Sequence, residues 1–565
     1  MIVIEETLEM TMRDGTILRA DVFRPDTDEK LPVLFRRTPY RKEGWAHVAR
    51  ELASHGYVSI VQDLRGRGAS DGEFIWSFAE EAQTIEALDG FDSIACCADY
   101  EHSDGRVGTW GHSYDGWSQL RTAILQPPNL STMHISGITG RSLDMNRGIL
   151  DVGRRMEWCY TLGADLAKKS DVVEGIPADR DLGMIDRWTN FERGKWLWFL
   201  PLADLPPHAL TGASKLFQEY MLNTHRELWH FDKSLDKVQV PTAFLTGWWD
   251  RFSETSTLYN ELVAASPSDL APRHRLLMGP WSHNPDTFVA DLGDVETSGK
   301  GAVDLVETLL EWFNGQLKSE EVETDQVITY FNVGTNEWRT ATAWPDSESR
   351  EVSYFIRSSG LACDLAGGGG LLSLERPGTE PTDDYRYDPR DPVMSLMLED
   401  SHHAPKDQAP NDSRPDVLHY QGPTLSKSVD VTGTPRVRLF ASTDVPDTDW
   451  VVRLIDVSPS GKAINVSGGI LRAKYRNSYD EPELLEVGVV YEFLIDMSIT
   501  SYTFLPGHRM RLDITSSDFP NWDRNHNTGN DYATDGELRI AHQQVHHSGD
   551  LATELILPII PAEGA

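Results

Sequence analysis

A serine hydroxyl is a weak nucleophile by itself, so a chain that uses one must lift it clear of the backbone and supply a base. The run Arg106-Val-Gly-Thr-Trp-Gly-His-Ser-Tyr-Asp-Gly116 meets the first requirement. Asp104-Gly105 marks a turn, Val107 to Trp110 is short and apolar, and Trp117 to Leu125 continues with helix-compatible residues. Between strand and helix, Gly111 and Gly116 leave room for a tight turn that carries Ser113. The base and its orienting acid lie downstream. Thr242-Ala-Phe-Leu-Thr-Gly-Trp-Trp-Asp250 reads as a strand ending in an aspartate, and Leu276-Leu-Met-Gly-Pro-Trp-Ser-His283 as one ending in a histidine. In that arrangement His283 takes the serine proton and returns it to the leaving group, while Asp250 fixes the imidazole tautomer and stabilises its charged form. The chemistry implied is acyl transfer to Ser113 followed by hydrolysis.

The elements that must position these residues can be read from the flanking pattern. Strand, turn and helix around Ser113 form a nucleophile elbow, and the order serine, acid, histidine is that of an α/β-hydrolase. One departure is visible: the position two after the serine is Asp115, with the glycine one step later. Glu6 to Met12 and Thr16 to Phe23 predict a hairpin around Arg13-Asp-Gly15. Pro32 to Arg37 and Tyr57 to Asp63 are apolar runs of the kind buried on both faces of a parallel sheet, with helices expected over Trp45 to His55 and Phe78 to Ala98. Residues 143–236 show helical spacing, no strand and a gathering of tryptophans, including Trp158, Trp188, Trp196, Trp198 and Trp229. After residue 345 short alternating segments such as Val437 to Phe440, Trp450 to Ile455 and Arg509 to Ile514 are divided by glycine and proline turns, which predicts a β jelly roll. The Gly367 to Gly370 run reads as a loop. The expected organisation is a hydrolase core over 1–142 and 237–345, a helical cap inserted at 143–236, and a jelly roll over 346–565.

Composition narrows the function classes. A chain of 565 residues with a net charge of −36 repels nucleic acid and anionic membranes, so neither is an expected partner. No run approaches the roughly 18 apolar residues of a membrane span. Cys96, Cys97, Cys159 and Cys363 have neither metal-ligand spacing nor a disulfide framework, which suits a reducing compartment. The first residues lack a basic region followed by an apolar core, so a cytoplasmic location is expected. The pairs His402-His403 and His546-His547 have no neighbouring ligands at useful spacing and read as surface loops, so no metal is expected. The acyl-transfer mechanism needs no organic cofactor.

In its motifs the chain resembles the cocaine esterase / X-prolyl dipeptidyl-peptidase group of serine hydrolases over essentially its whole length. The matching features are Arg13-Asp-Gly15, Thr38-Pro-Tyr40, Gln62-Asp-Leu-Arg-Gly66, Gly111-His-Ser-Tyr-Asp-Gly116, Gly247-Trp-Trp-Asp250, Gly279-Pro-Trp-Ser-His283, Phe504-Leu-Pro-Gly-His-Arg509 and Phe519-Pro-Asn-Trp-Asp-Arg-Asn525. In that group the glycine sits three after the serine, which accounts for Asp115. The resemblance implies a core, cap and jelly-roll architecture. It also implies an oxyanion hole made by the Tyr40 hydroxyl and the backbone N–H of Tyr114. Phe252 and Leu396 are implied as acyl-pocket residues, although the segment Ser395 to His403 departs from the esterase form.

Tryptophans flanking the motifs suit a bulky or aromatic acyl group, and Trp158 and Trp249 are expected in the pocket wall. The expected activity is therefore a small-molecule carboxylesterase. The alternative is an amide hydrolase of the same group: an acylase, an amino-ester hydrolase or a dipeptidyl-peptidase. Aminopeptidase-like members need buried carboxylates for the substrate ammonium, and none can be singled out among 88 acidic residues. A catalytically silent protein whose jelly roll binds carbohydrate would have no use for the serine, acid and histidine. Family members often self-associate, which sets a homodimer as the expectation.

Overall fold

The alternation of strand and helix builds one ten-stranded sheet, seen in a computed structural model that describes every residue except 1, 77–79, 170–183, 223, 225–226, 284–291, 319–327, 397–404 and 562–565. Its strands are β1 (Val3–Thr11), β2 (Ile17–Pro25), β3 (Leu31–Thr38), β4 (Val58–Asp63), β5 (Ser103–His112), β6 (Leu130–Ser136), β7 (Thr242–Gly247), β8 (Arg275–Gly279), β9 (Ile328–Asn332) and β10 (Glu337–Ala341). They lie in the order β1-β2-β4-β3-β5-β6-β7-β8-β9-β10. The predicted hairpin is β1–β2, paired antiparallel, and every pairing from β4 through β3 to β9 is parallel.

The apolar strands are buried on both faces because successive side chains point to opposite sides. Leu34 of β3 and Val61 of β4 face a cluster with Val48, Leu52, Leu309 and Phe313, from helices Ala46–Ser54 and Leu305–Leu317. Their neighbours Phe35 and Ile60 face the opposite cluster, with Ile94, Leu120 and Leu258 from helices Glu80–Asp99, Tyr114–Ala123 and Thr255–Ala265. Parallel strands with helices on both faces put their carboxyl ends along one edge, where a site can be assembled.

Between β6 and β7 the chain leaves the sheet. Helix Val152–Lys169 and several shorter helices occupy this insertion, and no strand occurs among its described residues. The second sheet holds thirteen strands running from Arg350–Arg357 to Glu554–Ile560. Alternation is clear in Arg436–Thr443, where Val437, Leu439 and Ala441 are buried between less buried neighbours. The hydrolase sheet ends at Ala341. The glycine run is not wholly a loop: Asp364 caps a short turn at Gly367, and Gly370 opens the strand Gly370–Ser373.

The Phe519–Asn525 motif joins the jelly roll to the cap. Gly153 N–H donates to the Pro520 carbonyl at 2.8 Å and Asp523 N–H to the Leu150 carbonyl at 2.7 Å, which fixes the start of helix Val152–Lys169. Behind this clamp the fully buried Arg472 donates to both oxygens of Asp449 at 2.9 and 2.8 Å and to Asp523 at 2.5 Å. Asn525 donates to Asp447 and Asp449 from the other side. Among the described residues no helix is long and apolar enough to cross a membrane.

Candidate active site

Ser113 sits on the turn between β5 and helix Tyr114–Ala123, with φ 57° and ψ −119°. This is a conformation that an L-residue adopts only when its surroundings hold it there. Both glycines explain how the turn fits. A Cβ on Gly111 would lie 2.6 Å from the Asp115 Cβ, and one on Gly116 would lie 3.1 Å from Ile135 and Ile138. The Ser113 N–H is held by the Ser136 carbonyl of β6 at 2.8 Å. Asp115, the residue that breaks the simple elbow pattern, is fully buried and ion-paired with Arg36 of β3 at 2.6 Å. Burial raises its carboxyl to about 6, with Arg36 the main force pulling it back. The Arg36 guanidinium lies in turn over the rings of Trp45 and Trp110.

The loops after β7 and β8 bring the other two residues to the serine. His283 Nδ1 is 2.8 Å from Asp250 Oδ1, and its Nε2 is 2.9 Å from Ser113 Oγ. A carboxylate only accepts, so Nδ1 carries the proton, Nε2 accepts, and the serine hydroxyl donates to it. Asp250 and His283 are 3% and 6% exposed, and Asp250 Oδ1 also accepts the Phe252 N–H at 2.8 Å. His112, which sequence reasoning passed over, supports His283 from below. Its Nε2–H donates to the His283 carbonyl and its Nδ1 accepts from the Ser136 hydroxyl, both at 3.0 Å. Burial, and then the neighbouring His283, hold His112 well below the usual histidine range, so it stays neutral. Among the described residues, His112, Asp250 and His283 form the one group of potential ligand side chains close enough to share an ion, and their ring nitrogens are engaged as described.

Above the serine opens a cleft of about 570 Å³, part of it continuous with open solvent. Tyr40, Tyr114, Trp158 and Phe252, all expected at the site, line it, as do Trp117, Ile138 and Trp229. Trp158 of the cap helix donates its Nε1–H to the Tyr40 hydroxyl at 3.1 Å. That bond occupies an acceptor position of the hydroxyl and leaves its proton available. Burial, with the Asp115 charge second, pushes the Tyr40 phenol up to about 12, so it remains a donor at neutral pH. The backbone N–H of Tyr114 is the first of its helix, where N–H groups have no intrahelical acceptor.

Two expected wall residues lie elsewhere. Trp249 is 1% exposed and outside the cleft lining, because its N–H bonds to the Trp281 carbonyl and its ring turns into the core. Leu396 is half-buried and does not line the cleft, and the rest of its segment, 397–404 with His402 and His403, lies outside the described residues. The second histidine pair is not a surface loop: His546 ends a jelly-roll strand, and His547 is buried with Nε2 3.0 Å from Asp383. Three arginines were missed: Arg154 and Arg155 of the cap helix and Arg251 beside Asp250 also line the cleft. The available signal was Arg-Arg opening an apolar helix and an arginine directly after a strand-end aspartate. Arg155 bonds to Asp151 at 2.8 Å and Arg154 to Glu157 at 3.2 Å, and Arg251 Nη1 shares Asp151 at 3.3 Å. Burial and the adjacent Arg154 push Arg251 down to about 9, still protonated at neutral pH.

Comparison with known proteins places this site in a family. Residues 14–285 match the X-Pro dipeptidyl-peptidase (S15) family, and residues 320–556 match the X-Pro dipeptidyl-peptidase C-terminal non-catalytic domain. Cocaine esterase of Rhodococcus sp. (strain MB1 Bresler) is 33% identical over 576 residues, covering 97% of each chain. The chain therefore belongs to the cocaine esterase-like (CocE/NonD) family of serine hydrolases, and is a serine carboxylesterase-type hydrolase with an α/β-hydrolase core, helical cap and C-terminal jelly roll. The fold is shared by an aminopeptidase from a marine-sediment Thaumarchaeota archaeon (TM-score 0.81, 22% identity, 99% and 97% of the two chains). An α-amino acid ester hydrolase shares it too (TM-score 0.72, 24% identity, 99% and 96%).

Proposed function

We propose that the enzyme cleaves carboxylic esters through Ser113, His283 and Asp250 by way of an acyl-enzyme, with a preference for bulky or aromatic acyl groups. The observation that carries this reading is the unbroken line of hydrogen bonds from Ser113 Oγ through His283 to Asp250, at the floor of an aromatic cleft. Ser113 Oγ attacks the ester carbonyl carbon as its proton passes to His283 Nε2. The carbonyl oxygen becomes an oxyanion held by the Tyr40 hydroxyl and the Tyr114 N–H, donors worth roughly 3 kcal/mol each. Collapse breaks the bond to the alkoxy oxygen, which takes the proton from His283 and leaves as alcohol. Water then attacks the acyl-enzyme with His283 again as base, releasing the acid and restoring the serine. Trp117, Trp158, Trp229 and Phe252 supply flat apolar area for an acyl ring.

The charge of the cleft favours this reading over an aminopeptidase. Among the described residues no aspartate or glutamate lines the cleft, whereas three arginines do, which disfavours a substrate ammonium. The test is a matched series of p-nitrophenyl esters and p-nitroanilides with acetyl, butyryl, benzoyl and free aminoacyl groups. Ester turnover rising toward benzoyl, with little anilide cleavage, is expected. Anilide cleavage confined to aminoacyl substrates would transfer the assignment to the amide-hydrolase branch.

A further inference from the structure

Tyr40 lines an open cleft, so packing cannot fix its ring on every side. Its placement depends on the backbone of residues 38–42, and that backbone is strained. Arg41, directly after it, has φ 75° and ψ 123°, a region that residues other than glycine enter only when their surroundings impose it. The restraint comes from the loop after β4. Asp63 accepts the Lys42 N–H at 2.8 Å and the Ala69 N–H at 2.9 Å, which ties the two loops together. Leu64 N–H donates to the Thr38 carbonyl at 3.0 Å. Within this bracket Arg67 is buried, with its guanidinium over the ring of Phe74. Its Nε–H donates to the Pro39 carbonyl at 2.8 Å and its Nη1–H to the Leu162 carbonyl of the cap helix at 3.2 Å. The N–H of Tyr40, at the other end of the Pro39 peptide plane, donates to the Thr38 hydroxyl at 3.1 Å. Trp158, which donates to the Tyr40 hydroxyl, stands about one turn before Leu162 on the cap helix. The cap therefore grips Tyr40 at both ends, the hydroxyl through Trp158 and the backbone through Arg67.

We infer that Arg67 is a positioning residue for the oxyanion hole, locking the Pro39–Tyr40 peptide to the cap helix so that the Tyr40 hydroxyl points at the reacting carbonyl oxygen. A planar guanidinium suits this task. Two donors on one rigid fork keep two carbonyls at a set separation, which the single ammonium of a lysine cannot do. Charge adds to the effect: at the Tyr40 phenol burial is the largest influence, and Arg67 is among the cations that oppose it. Arg67 is not among the residues that line the cleft, so it acts through Tyr40 and not on the substrate. The inference rests on Tyr40 as an oxyanion donor and makes the seating of the cap a condition for that donor to work.

The test is a double-mutant cycle of Arg67→Met and Tyr40→Phe on p-nitrophenyl butyrate, with kcat taken per site titrated to completion by a fluorophosphonate. Arg67→Met alone is expected to lower kcat about tenfold with KM within about twofold of wild type, because the bond it aims forms chiefly in the transition state. On the Tyr40→Phe background the same substitution is expected to change kcat by less than about threefold. Arg67→Lys should lose less than Arg67→Met, since an ammonium still reaches one of the two carbonyls. An undiminished kcat in Arg67→Met would overturn the inference. So would equal losses on both backgrounds, the outcome for a brace that merely stabilises the loop. Should Arg67→Met fail to fold, Arg67→Lys takes its place in the cycle, with a loss of about threefold expected in the otherwise wild-type enzyme and none on the Tyr40→Phe background. A kcat unchanged in Tyr40→Phe would refute the donor role of Tyr40, and this inference with it. Loss in Tyr40→Phe without loss in Arg67→Met would refute the role of Arg67 alone.

Discussion

The Tyr40 hydroxyl accepts from Trp158 and keeps its own proton, and the proposed oxyanion role makes the pair a sharp test at the scale of single residues. Tyr40→Phe is expected to lower kcat by about 10²- to 10³-fold with little change in KM, because the lost bond is made chiefly in the transition state. Trp158→Phe removes the orienting donor and trims the cleft wall while keeping Tyr40, and a smaller loss of several-fold in kcat is expected in the same assay. An unchanged kcat in Tyr40→Phe would remove it from the oxyanion hole. Ser113, Asp250 and His283 were legible because a glycine-marked turn and two strand ends announce them. Tyr40 was not legible by spacing: its partner Trp158 is 118 residues away on the inserted helix, and only the family resemblance pointed to it. Arg251 was hidden for another reason. Whether a charge is paired depends on three-dimensional neighbours, and its neighbours Arg154 and Asp151 come from the cap.

Among the elements, the segment Phe519–Asn525 decides where the cap helix begins. It fixes residues 150–153, and so Asp151, the carboxylate shared by Arg155 and Arg251. Arg472 stands behind that segment, with Asp449 and Asp523 on its guanidinium. Arg472→Met would leave two carboxylates buried without their cation and is expected to cost about 3–5 kcal/mol, measured by chemical denaturation. A loss below about 1 kcal/mol would show that the clamp does not depend on the ion pair. Strands β1–β5, β7 and β8, the helices beside them and four of the jelly-roll strands were legible from period and turn residues, whereas β6, β9, β10 and the helices Thr255–Ala265 and Leu305–Leu317 were not singled out. Two wall positions, Leu396 and Trp249, misled; Trp249 follows a strand end, as Phe252 does, yet the turn carries its ring into the core. The motif around Phe519 stood out as a pattern, but nothing in its own residues says that it grips a helix some 370 positions earlier.

For the whole molecule, acidity and burial set the response to pH. His134, His274 and His526 are buried, and burial is the first cause that lowers each to about 4. His274 shows the neutral form plainly: Nδ1 accepts the Thr242 N–H and Nε2–H donates to Ser266. Between pH 6.5 and 4 the unfolded chain takes up protons at these sites and the folded chain does not, so each contribution to stability is lost as pH falls, at about 1.4 kcal/mol per unit. Asp144 works in the opposite sense: burial raises it to about 7, so folded protein binds that proton first and gains stability as pH falls from 7 toward 4. The melting temperature of His274→Gln is therefore expected to fall less between pH 6.5 and 4 than that of wild type, and that of Asp144→Asn to fall more. Parallel curves for all three proteins would contradict both assignments. The net charge of −36 was plain in the sequence, but the three arginines of the cleft wall were not, because composition averages over position.

Everything proposed for the reaction depends on a covalent acyl-enzyme at Ser113. It is tested most directly by quenching the enzyme during turnover of p-nitrophenyl benzoate and locating the adduct by peptide mass spectrometry, with Ser113→Ala alongside. A burst of p-nitrophenol, a benzoyl group on the peptide containing Ser113, and neither burst nor turnover in Ser113→Ala are expected. Turnover undiminished in Ser113→Ala, or an adduct on another residue, would contradict it.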